Sequence, residues 1–460
     1  MKALIIISVL TLAGIAWTAN STIQAMAANT WLSVPNSKIR PLCPSEASCS
    51  GITEIEGCGA VVWSWSGGAF DTKRNRMMVW GGGHTAYMGN EIYGFNVNTL
   101  TWSRITEPTC PQNNATCQDP LPDGNPAGRH TYDGLAYIEH ADVFFACGGS
   151  LACTGGWSTS KVWAFDLTTN KWTNKNPTGT GPNTGFGYCW TCAYDPGTKK
   201  VFFRDNYGTL SYDINANAWA NFNSDRHDYT DQTTAIDTKR HLIFTAGGSN
   251  SLNAPWYVGD IATKTNVTSQ WTTTGGDALF TGGAPGLSYD PVTDNLIAVP
   301  AFGYTIYELN MTTKVWTQRA TAAVVAPSEY HGGHYGRFRY SPIENAFVFV
   351  PSVDDNVWIY KHSAGTGVEA RKAFLAATPL NITVMPNPIS EKARIWVNGS
   401  QPKVSLEVFN LQGQRVTRLS PTRNGNISEA SWNSEDVPAG IYLLKAFDGK
   451  ASCVTRLLKQ

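Results

Sequence analysis

Six stretches of the chain between Gly59 and Lys361 repeat one pattern of apolar and polar positions. Each begins with small residues that lead to an aromatic residue and often Asp, crosses a polar turn into an apolar strand, and ends in a strand that carries Trp or Tyr. Short apolar runs bounded by turn residues predict β-strands rather than helices. The opening segments of the six blocks are residues 67–71, 134–137, 192–195, 234–237, 286–290 and 338–340.

The repeat predicts an all-β fold in which the copies pack around an axis. A repeat of roughly 40 to 65 residues built only from strands cannot bury its own faces, so neighbouring copies must cover them. This pattern is typical of a β-propeller, and it resembles the kelch type. We count six blades, and residues 103–127 or 222–285 are long enough to hold a seventh. The Trp-centred segment 29–34 is expected to complete the last blade.

The two ends of the chain differ from the repeat. An apolar run follows Met1 and Lys2, and Ala25-Met26-Ala27 is typical of a cleavage site, so residues 1–27 are predicted to be a signal peptide. A retained membrane anchor is the alternative, although the run is short for a bilayer span. The predicted boundaries are a signal peptide at 1–27, a propeller at 28–365, a linker at 366–384 and a last domain at 385–460. No membrane span is expected after removal of the signal.

The last domain, residues 385–460, alternates apolar and polar positions between Gly turns, which predicts a small β-sandwich. Its segments Pro386-Asn387-Pro388 and Pro438-Ala439-Gly440-Ile441-Tyr442 resemble the C-terminal sorting domain of bacterial type IX secretion substrates. That resemblance implies a secreted or cell-surface protein with the secretion machinery as a partner. A simple adhesive or spacer module is the alternative.

Net charge and cysteine content limit the classes of partner that the protein can bind and indicate an oxidising environment. The chain has 35 Lys and Arg against 35 Asp and Glu, so its net charge is zero and nucleic acid is not an expected partner. Ten cysteines in an exported chain predict disulfides. The CxxC at Cys189 and Cys192 is interpreted as a loop staple rather than a zinc or redox site. Local spacing predicts Cys110 with Cys117, Cys147 with Cys153, and two of Cys43, Cys49 and Cys58 together.

Three arginines occupy positions that are small or apolar in the other blocks. Arg204 ends an apolar strand where other blocks have Gly-Gly, and Arg337 and Arg339 replace small residues of the innermost strand. Residues two apart on a strand share one face, so Arg337 and Arg339 are expected to point toward the central channel. Guanidinium groups match carboxylate and sulfate oxygens, so we expect one anion-binding cluster of Arg204, Arg337 and Arg339. For Arg204, a salt bridge to Asp205 or to another blade is the alternative.

Imidazole and phenol groups gather at what should be the mouth of the ring, most of them where the chain enters the first strand of a block and one, His84, in the other kind of loop on that face. Five of the eight histidines lie at these positions. A single histidine there is more often structural, whereas a group of them indicates binding or acid–base chemistry. The residues are His84, His130, Tyr188, His227, Tyr330, His331 and His334.

Three of the singled-out residues resemble the catalytic set of bacterial β-propeller ulvan lyases: His130, Tyr188 and, after fifteen intervening residues, Arg204. Those secreted enzymes cleave an acidic, sulfated polysaccharide by β-elimination beside a uronic acid. The resemblance implies that Arg204 neutralises the uronate carboxylate, while His130 and Tyr188 share removal of the C5 proton and protonation of the leaving oxygen. This interpretation needs no cofactor and leaves room for a structural metal ion. The remaining substrate contacts would be His84, His227, Tyr330, His331, His334, Arg337 and Arg339.

Two features depart from that family, and two other functions stay open. Family members carry a second histidine where this chain has Cys147, and they have seven blades; His84 is a candidate replacement for the missing imidazole. A non-catalytic glycan-binding propeller is the main alternative, because kelch rings are commonly binding scaffolds. A copper radical oxidase of the galactose-oxidase type is a lesser one, on the basis of the adjacent Tyr330 and His331.

Overall fold

The computed structural model describes residues 19–52, 57–84, 86–110, 114–183, 190–225, 230–248, 256–280, 282–323, 331–364, 380–398, 403–424, 427–449 and 452–460. These ranges belong to two compact units, a larger one at Ala19–Ala377 and a smaller one that begins at Thr378. The α-helices are α1 (Ser21–Gln24) and α2 (Ala60–Trp63). No helix within the described ranges is long and apolar enough to cross a bilayer.

The chain is all-β, and the described part of the larger unit holds six four-stranded antiparallel sheets, which we label A to F, and a two-stranded ribbon. Strand β1 (Thr30–Ser33) belongs to sheet F. Sheet A contains β2 (Gly68–Asp71), β3 (Arg76–Val79), β4 (Tyr93–Asn96) and β5 (Thr101–Arg104). The ribbon pairs β6 (Arg129–His130) with β9 (Ser150–Leu151). Sheet B contains β7 (Leu135–Ile138), β8 (Val143–Cys147), β10 (Val162–Asp166) and β11 (Lys171–Asn174).

The next three sheets follow in chain order with four consecutive strands each. Sheet C contains β12 (Thr191–Asp195), β13 (Lys200–Asp205), β14 (Gly208–Asp213) and β15 (Ala218–Asn223). Sheet D contains β16 (Gln232–Asp237), β17 (Leu242–Gly247), β18 (Tyr257–Asp260) and β19 (Thr265–Asn266). Sheet E contains β20 (Gly286–Asp290), β21 (Asn295–Val299), β22 (Thr305–Asn310) and β23 (Trp316–Thr321). Sheet F contains β24 (Phe338–Ser341), β25 (Ala346–Phe349) and β26 (Trp358–Lys361), followed by β1.

Sheet F joins the two ends of the larger unit. Strand β1 pairs antiparallel with β26, and Trp31 lies opposite Tyr360 in the register. The prediction that the N-terminal segment completes the last block is therefore confirmed. The pairing covers the backbone edge of β26, which would otherwise be free to pair with another chain.

The first strands of the six sheets contact one another in the order β2, β7, β12, β16, β20 and β24, and β24 in turn contacts β2. Segments leading into neighbouring first strands are bridged in parallel, as between Asp133 and Thr191 and between Ala284 and Gly333. The chain therefore enters all these strands on one side. Because each sheet is antiparallel, the connections between second and third strands lie on the same side, which we call the loop face.

A repeated turn motif explains the aromatic–Asp ending of the first strands. The Asp71 carboxylate accepts a hydrogen bond from the backbone N–H of Arg74 at 3.0 Å, which closes the turn after β2. Arg74 then reaches sheet B and donates to both carboxylate oxygens of Asp142, at 2.7 and 2.9 Å. Arg240 and Asp294 repeat this bidentate contact between sheets D and E. The same short sequence thus closes a turn and links neighbouring sheets.

The described disulfides connect loops between residues 43 and 153 of the larger unit. The pair Cys43–Cys58 falls within the predicted set, whereas the other two described pairs correct the predictions of Cys110 with Cys117 and Cys147 with Cys153. The fold brings Cys110 beside Cys49 and Cys153 beside Cys117, at Cα–Cα distances of 5.3 and 5.0 Å across sequence separations of 61 and 36 residues, and Cys147 is a free thiol. The pairs are Cys43–Cys58, Cys49–Cys110 and Cys117–Cys153.

Two of the described cysteines of the larger unit are buried free thiols. Cys147 lies in β8 and Cys192 in β12, and both belong to one apolar core cluster with Trp190. Burial raises the pKa of the Cys147 thiol, so both cysteines behave as small apolar residues. Cys189, the other member of the CxxC, lies outside the described residues.

The smaller unit contains two four-stranded antiparallel sheets around one apolar core that includes Ile395, Val397, Leu406, Val408 and Leu444. One sheet has the order β27 (Asn381–Met385), β28 (Lys392–Asn398), β32 (Ile427–Asn433) and β31 (Thr422–Asn424). The other has the order β30 (Arg415–Leu419), β29 (Ser405–Asn410), β33 (Gly440–Phe447) and β34 (Ser452–Lys459).

Candidate functional site

Four aromatic rings form a continuous stack on the loop face, which we call the ring stack. His84 lies parallel to His130 with ring centroids 4.7 Å apart and an interplanar angle of 4°. His130 stacks in turn on Trp65 at 5.0 Å. Trp65 continues the stack to His331, at 4.6 Å and 7°. The structure therefore brings together three of the histidines predicted from the sequence, and it adds a tryptophan.

The backbone around the ring stack is held in a constrained conformation. Trp65 and His84 both have φ of 44°, in the left-handed region that residues with a side chain rarely adopt. His84 N–H donates to the Leu151 carbonyl at 3.0 Å, and His331 N–H donates to the Trp63 carbonyl at 2.9 Å. Strained backbone held by such contacts is concentrated at functional sites.

His130 lies inside the stack. It is 4% exposed, and its Nε2 atom has no hydrogen-bond partner among the described residues. Burial, together with the neighbouring His84 and His331, lowers the pKa of His130 to about 3, so its imidazole is neutral at ordinary pH. The family resemblance implies a direct catalytic role for His130, but His84 and His331 are the histidines of the stack with solvent-exposed surface.

Arg204 ends β13 on the loop face and is 5% exposed. Its guanidinium carbon lies 3.7 Å from the centroid of the Tyr257 ring in sheet D, and its Nη1 donates to Thr209 Oγ1 at 3.1 Å. Its Nε has no hydrogen-bond partner, and no carboxylate of the described residues forms an ion pair with it. The alternative interpretation of Arg204, a salt bridge to Asp205 or to another block, is therefore not found among the described residues. Burial lowers the pKa of Arg204, but a guanidinium stays charged, so this cation has unused hydrogen-bonding capacity.

Three large aromatic side chains are exposed on the loop face. Trp157 is 67% exposed, Phe302 59% and Tyr207 42%. Each lies in the connection between the second and third strands of its sheet, in sheets B, E and C respectively. Exposed aromatic rings in the connections of one face are candidates for contact with a ligand.

Arg337 and His334, in contrast, are internal. Arg337 is fully buried, and its guanidinium donates to the carbonyls of Ser66 at 2.9 Å and Val350 at 2.6 Å, among others. His334 is also fully buried beside the Gly303 carbonyl, and burial lowers its pKa to about 3. These contacts tie loops of sheets A, E and F together. The predicted substrate contacts of Arg337 and His334 are therefore replaced by contacts within the protein.

Arg339 links several sheets near the centre of the larger unit. Its Nη2 donates to Asp133 Oδ1 at 2.7 Å, and its Nη1 donates to the Thr234 carbonyl at 3.3 Å. Asp133 also accepts from Thr191 Oγ1 at 2.7 Å, so the network joins sheets B, C, D and F. Burial raises the pKa of Asp133, and Arg339 opposes that shift.

The three arginines are thus not brought into one cluster. Arg337 belongs to the 3₁₀ turn Tyr335–Arg337, and only Arg339 belongs to strand β24, so the two do not share the face that a strand would give them. Arg204 packs between sheets C and D with partners of its own.

A cavity of about 170 Å³ follows the axis defined by the first strands. Residues from all six first strands line it, and many are small or apolar, such as Ala69, Ala136, Ala193 and Ala235. Arg339 lies at its wall. Small residues at these positions leave an axial space that larger side chains would fill.

The remaining predicted residues, Tyr188, His227 and Tyr330, lie outside the described residues. Within the described ranges, no group of three or more His, Cys, Asp and Glu side chains is arranged to hold a metal ion. Sequence reasoning missed Trp65, Trp157, Tyr207 and Phe302. The signal that could have found them is a large aromatic residue in a Gly- or Asn-containing connection outside the strand pattern.

Comparison with known proteins assigns the smaller unit. Residues 383–460 match the secretion system C-terminal sorting domain. The protein is therefore secreted or displayed at the cell surface, and its last domain interacts with the type IX secretion machinery. The match confirms the resemblance found in the sequence for this part of the chain. A search of curated protein sequences finds no match to the chain.

Proposed function

We propose that this protein is a secreted kelch-like β-propeller that binds an acidic, uronate-containing polysaccharide on its loop face and cleaves it by β-elimination. The propeller part of the proposal is supported by the cyclic contacts of the six first strands and by the β1–β26 pair between the two ends of the unit. Sheets A to F also correspond one to one to the six sequence blocks. A propeller presents converging loops on one face, which is where ligands are commonly bound.

The observation that carries the substrate class is the Arg204 guanidinium, which forms no ion pair with the described residues, although the nearby charges of Asp225 and Asp205 partly offset its own. A buried cation without an ionic partner is costly, and its free N–H groups favour a ligand that supplies oxygen atoms with negative charge. A uronate carboxylate meets both needs. Its charge must also be offset before the adjacent C5 proton becomes acidic enough to remove.

The exposed aromatic residues support a sugar polymer rather than a small anion. One face of a pyranose ring consists of C–H groups, and it packs on flat aromatic surfaces such as Trp157 and Phe302. Their exposed fractions of 67% and 59% leave these rings available in the free protein. Side chains spread over sheets B, C and E suit an extended chain that crosses the loop face.

The proton transfer is assigned to the ring stack and to Tyr188. His84 takes the C5 proton, the C–H electron pair forms the C4–C5 double bond, and the C4–O bond breaks with a proton from Tyr188 passing to the leaving oxygen. His130 stacks on His84 as a neutral ring and holds its orientation. The proton-abstracting role that the family resemblance implies for His130 is thus assigned to its half-buried neighbour His84, and Tyr188 keeps the role that the resemblance implies.

Non-catalytic glycan binding is the second candidate, because the exposed aromatic rings of the loop face would serve a lectin-like protein equally well. Both candidates use the same face and the same class of ligand. They differ in whether an unsaturated product appears.

The deciding experiment incubates the purified protein with ulvan and with other uronic-acid polysaccharides and follows the ultraviolet absorbance of the unsaturated uronate. We expect product formation, and we expect Arg204→Gln and His84→Gln to lower kcat/KM by roughly 100-fold or more. His241→Asn, outside the loop face, is the control and should act as the wild type. Thermal unfolding of each variant separates lost chemistry from lost folding, and Arg204→Lys tests the charge with less disturbance. Binding without product would identify a lectin-like protein, and neither binding nor product would refute the proposal.

A further inference from the structure

A second cavity of about 450 Å³ lies beside the ring stack, between the segments 115–119 and 151–161. Its lining combines the Trp157 ring, the hydroxyls of Thr116 and Ser158, and the Lys161 side chain. We infer that this cavity is a subsite for one anionic pyranose unit of the polymer, flanking the bond that is cleaved. The inference rests on the proposed function for its position along the substrate, whereas the cavity itself is argued from its own residues.

The walls of the cavity are held in place before any ligand arrives. The Cys117–Cys153 disulfide ties its two segments together. Leu151 N–H donates to the Trp157 carbonyl at 2.9 Å, and Thr159 N–H donates to the Gly149 carbonyl at 3.0 Å. A preformed wall lowers the entropy lost on binding.

The cavity carries an uncompensated positive charge. Two charged side chains line it, Asp119 and Lys161. Asp119 is neutralised from behind by Arg129, whose Nη2 donates to its Oδ1 at 2.9 Å in a fully buried ion pair. Lys161 forms no ion pair with the described residues. The remaining charge therefore favours an anionic group, either a sulfate ester or a carboxylate.

The Trp157 ring offers a flat surface on which a sugar ring can stack, in addition to the charge of Lys161. It projects into solvent with 67% of its surface exposed, while the chain on either side of it is hydrogen-bonded to the fold. A rigid, exposed indole next to hydroxyl donors and a cation fits a pyranose ring, whose C–H face stacks and whose substituents take hydrogen bonds.

The position of the cavity links it to the ring stack. The residue before Trp157 is Gly156, and a Cβ atom built there would lie 2.6 Å from His84 Cδ2. The loop that carries Trp157 thus packs directly against His84. A polymer with one unit on Trp157 would have a neighbouring unit near His84, as a flanking subsite requires.

The test measures equilibrium binding of the full protein to four polymers by titration calorimetry. They are ulvan, chemically desulfated ulvan, alginate, which has uronate without sulfate, and carrageenan, which has sulfate without uronate. We expect Trp157→Ala to weaken binding to ulvan about tenfold. Lys161→Gln should weaken it and flatten its salt dependence, because it removes a charge contact. Lys264→Gln, at an exposed lysine of the β18–β19 turn, is the matched control and should bind like the wild type.

Each outcome decides the subsite separately from the proposed function. Weaker binding by both variants supports the subsite, whether or not the wild type forms product. If the wild type forms no product, only the proposed lyase activity is refuted. Unchanged ulvan affinity in both variants overturns the subsite even if ulvan is cleaved. Absence of wild-type binding to all four polymers overturns it as well. A loss confined to carrageenan and ulvan assigns sulfate as the bound group, and a loss that extends to alginate and desulfated ulvan assigns carboxylate.

Discussion

Two buried imidazoles, His130 and His334, are held neutral in the folded protein. Burial lowers the pKa of each to about 3, whereas an unperturbed histidine titrates near 6.5. As pH falls below about 6.5, the unfolded chain therefore binds protons that the folded chain does not. The stability that these neutral rings contribute is complete above that pH and is lost progressively down to about pH 3.

His334→Gln is expected to reduce this acid sensitivity. Gln keeps an N–H donor for the Gly303 carbonyl but does not titrate. Urea midpoints measured at pH 7.5 and pH 4.5 should therefore differ less in the variant than in the wild type, although the variant is less stable at the higher pH. His241→Asn serves as the control. An unchanged difference between the two midpoints would contradict the neutral state of His334.

At the scale of elements, the β1–β26 pair decides whether sheet F has a free edge. The Trp31 ring lies within 6.3 Å, centroid to centroid, of the rings of Phe349, Trp358 and Tyr360. Strand β1 thus adds backbone pairing and an aromatic cover from a segment more than 300 residues away in sequence.

Deletion of Thr30–Ser33 should lower the thermal midpoint and promote aggregation, because β26 then exposes its edge and its aromatic residues. A synthetic peptide of residues 28–36 is expected to raise the midpoint again in proportion to its concentration. The same peptide with Trp31→Lys should not. Equal stability with and without the strand would mean that the pairing contributes nothing measurable.

The strands could be predicted from the sequence, whereas the contacts between distant loops could not. The repeated aromatic–Asp turns and the Trp of β1 are local signals, so the strands and their closure were predictable. The pair Cys49–Cys110 was not, because it spans 61 residues and depends on how two loops meet in space. The expectation that Arg337 lies on a strand and faces the channel was wrong for a related reason. Arg337 belongs to a 3₁₀ turn that no local sequence signal predicts, and this turn directs its guanidinium to backbone carbonyls. For Arg204, the strand position was foreseen, and its packing on Tyr257 of the next sheet was not.

At the scale of the molecule, recognition and export are carried by different parts of the chain. The ring stack, Arg204 and the exposed aromatic residues all belong to the unit Ala19–Ala377. The match to the sorting domain begins at residue 383, after that unit ends. Each unit has apolar core clusters of its own, so each has the means to fold separately.

A chain that ends at Ala377 should therefore keep the thermal midpoint and the polysaccharide binding of the full protein, because no residue of the proposed site is removed. In a host with a type IX system, this truncated chain should stay inside the cell, whereas a reporter protein fused to residues 378–460 should be exported. Calorimetry, the four-polymer binding series and fractionation of the host measure the three outcomes. If the truncated chain were insoluble or failed to bind, the two units would depend on each other for folding. If the reporter were retained as well, residues 378–460 would need a further signal from the rest of the chain.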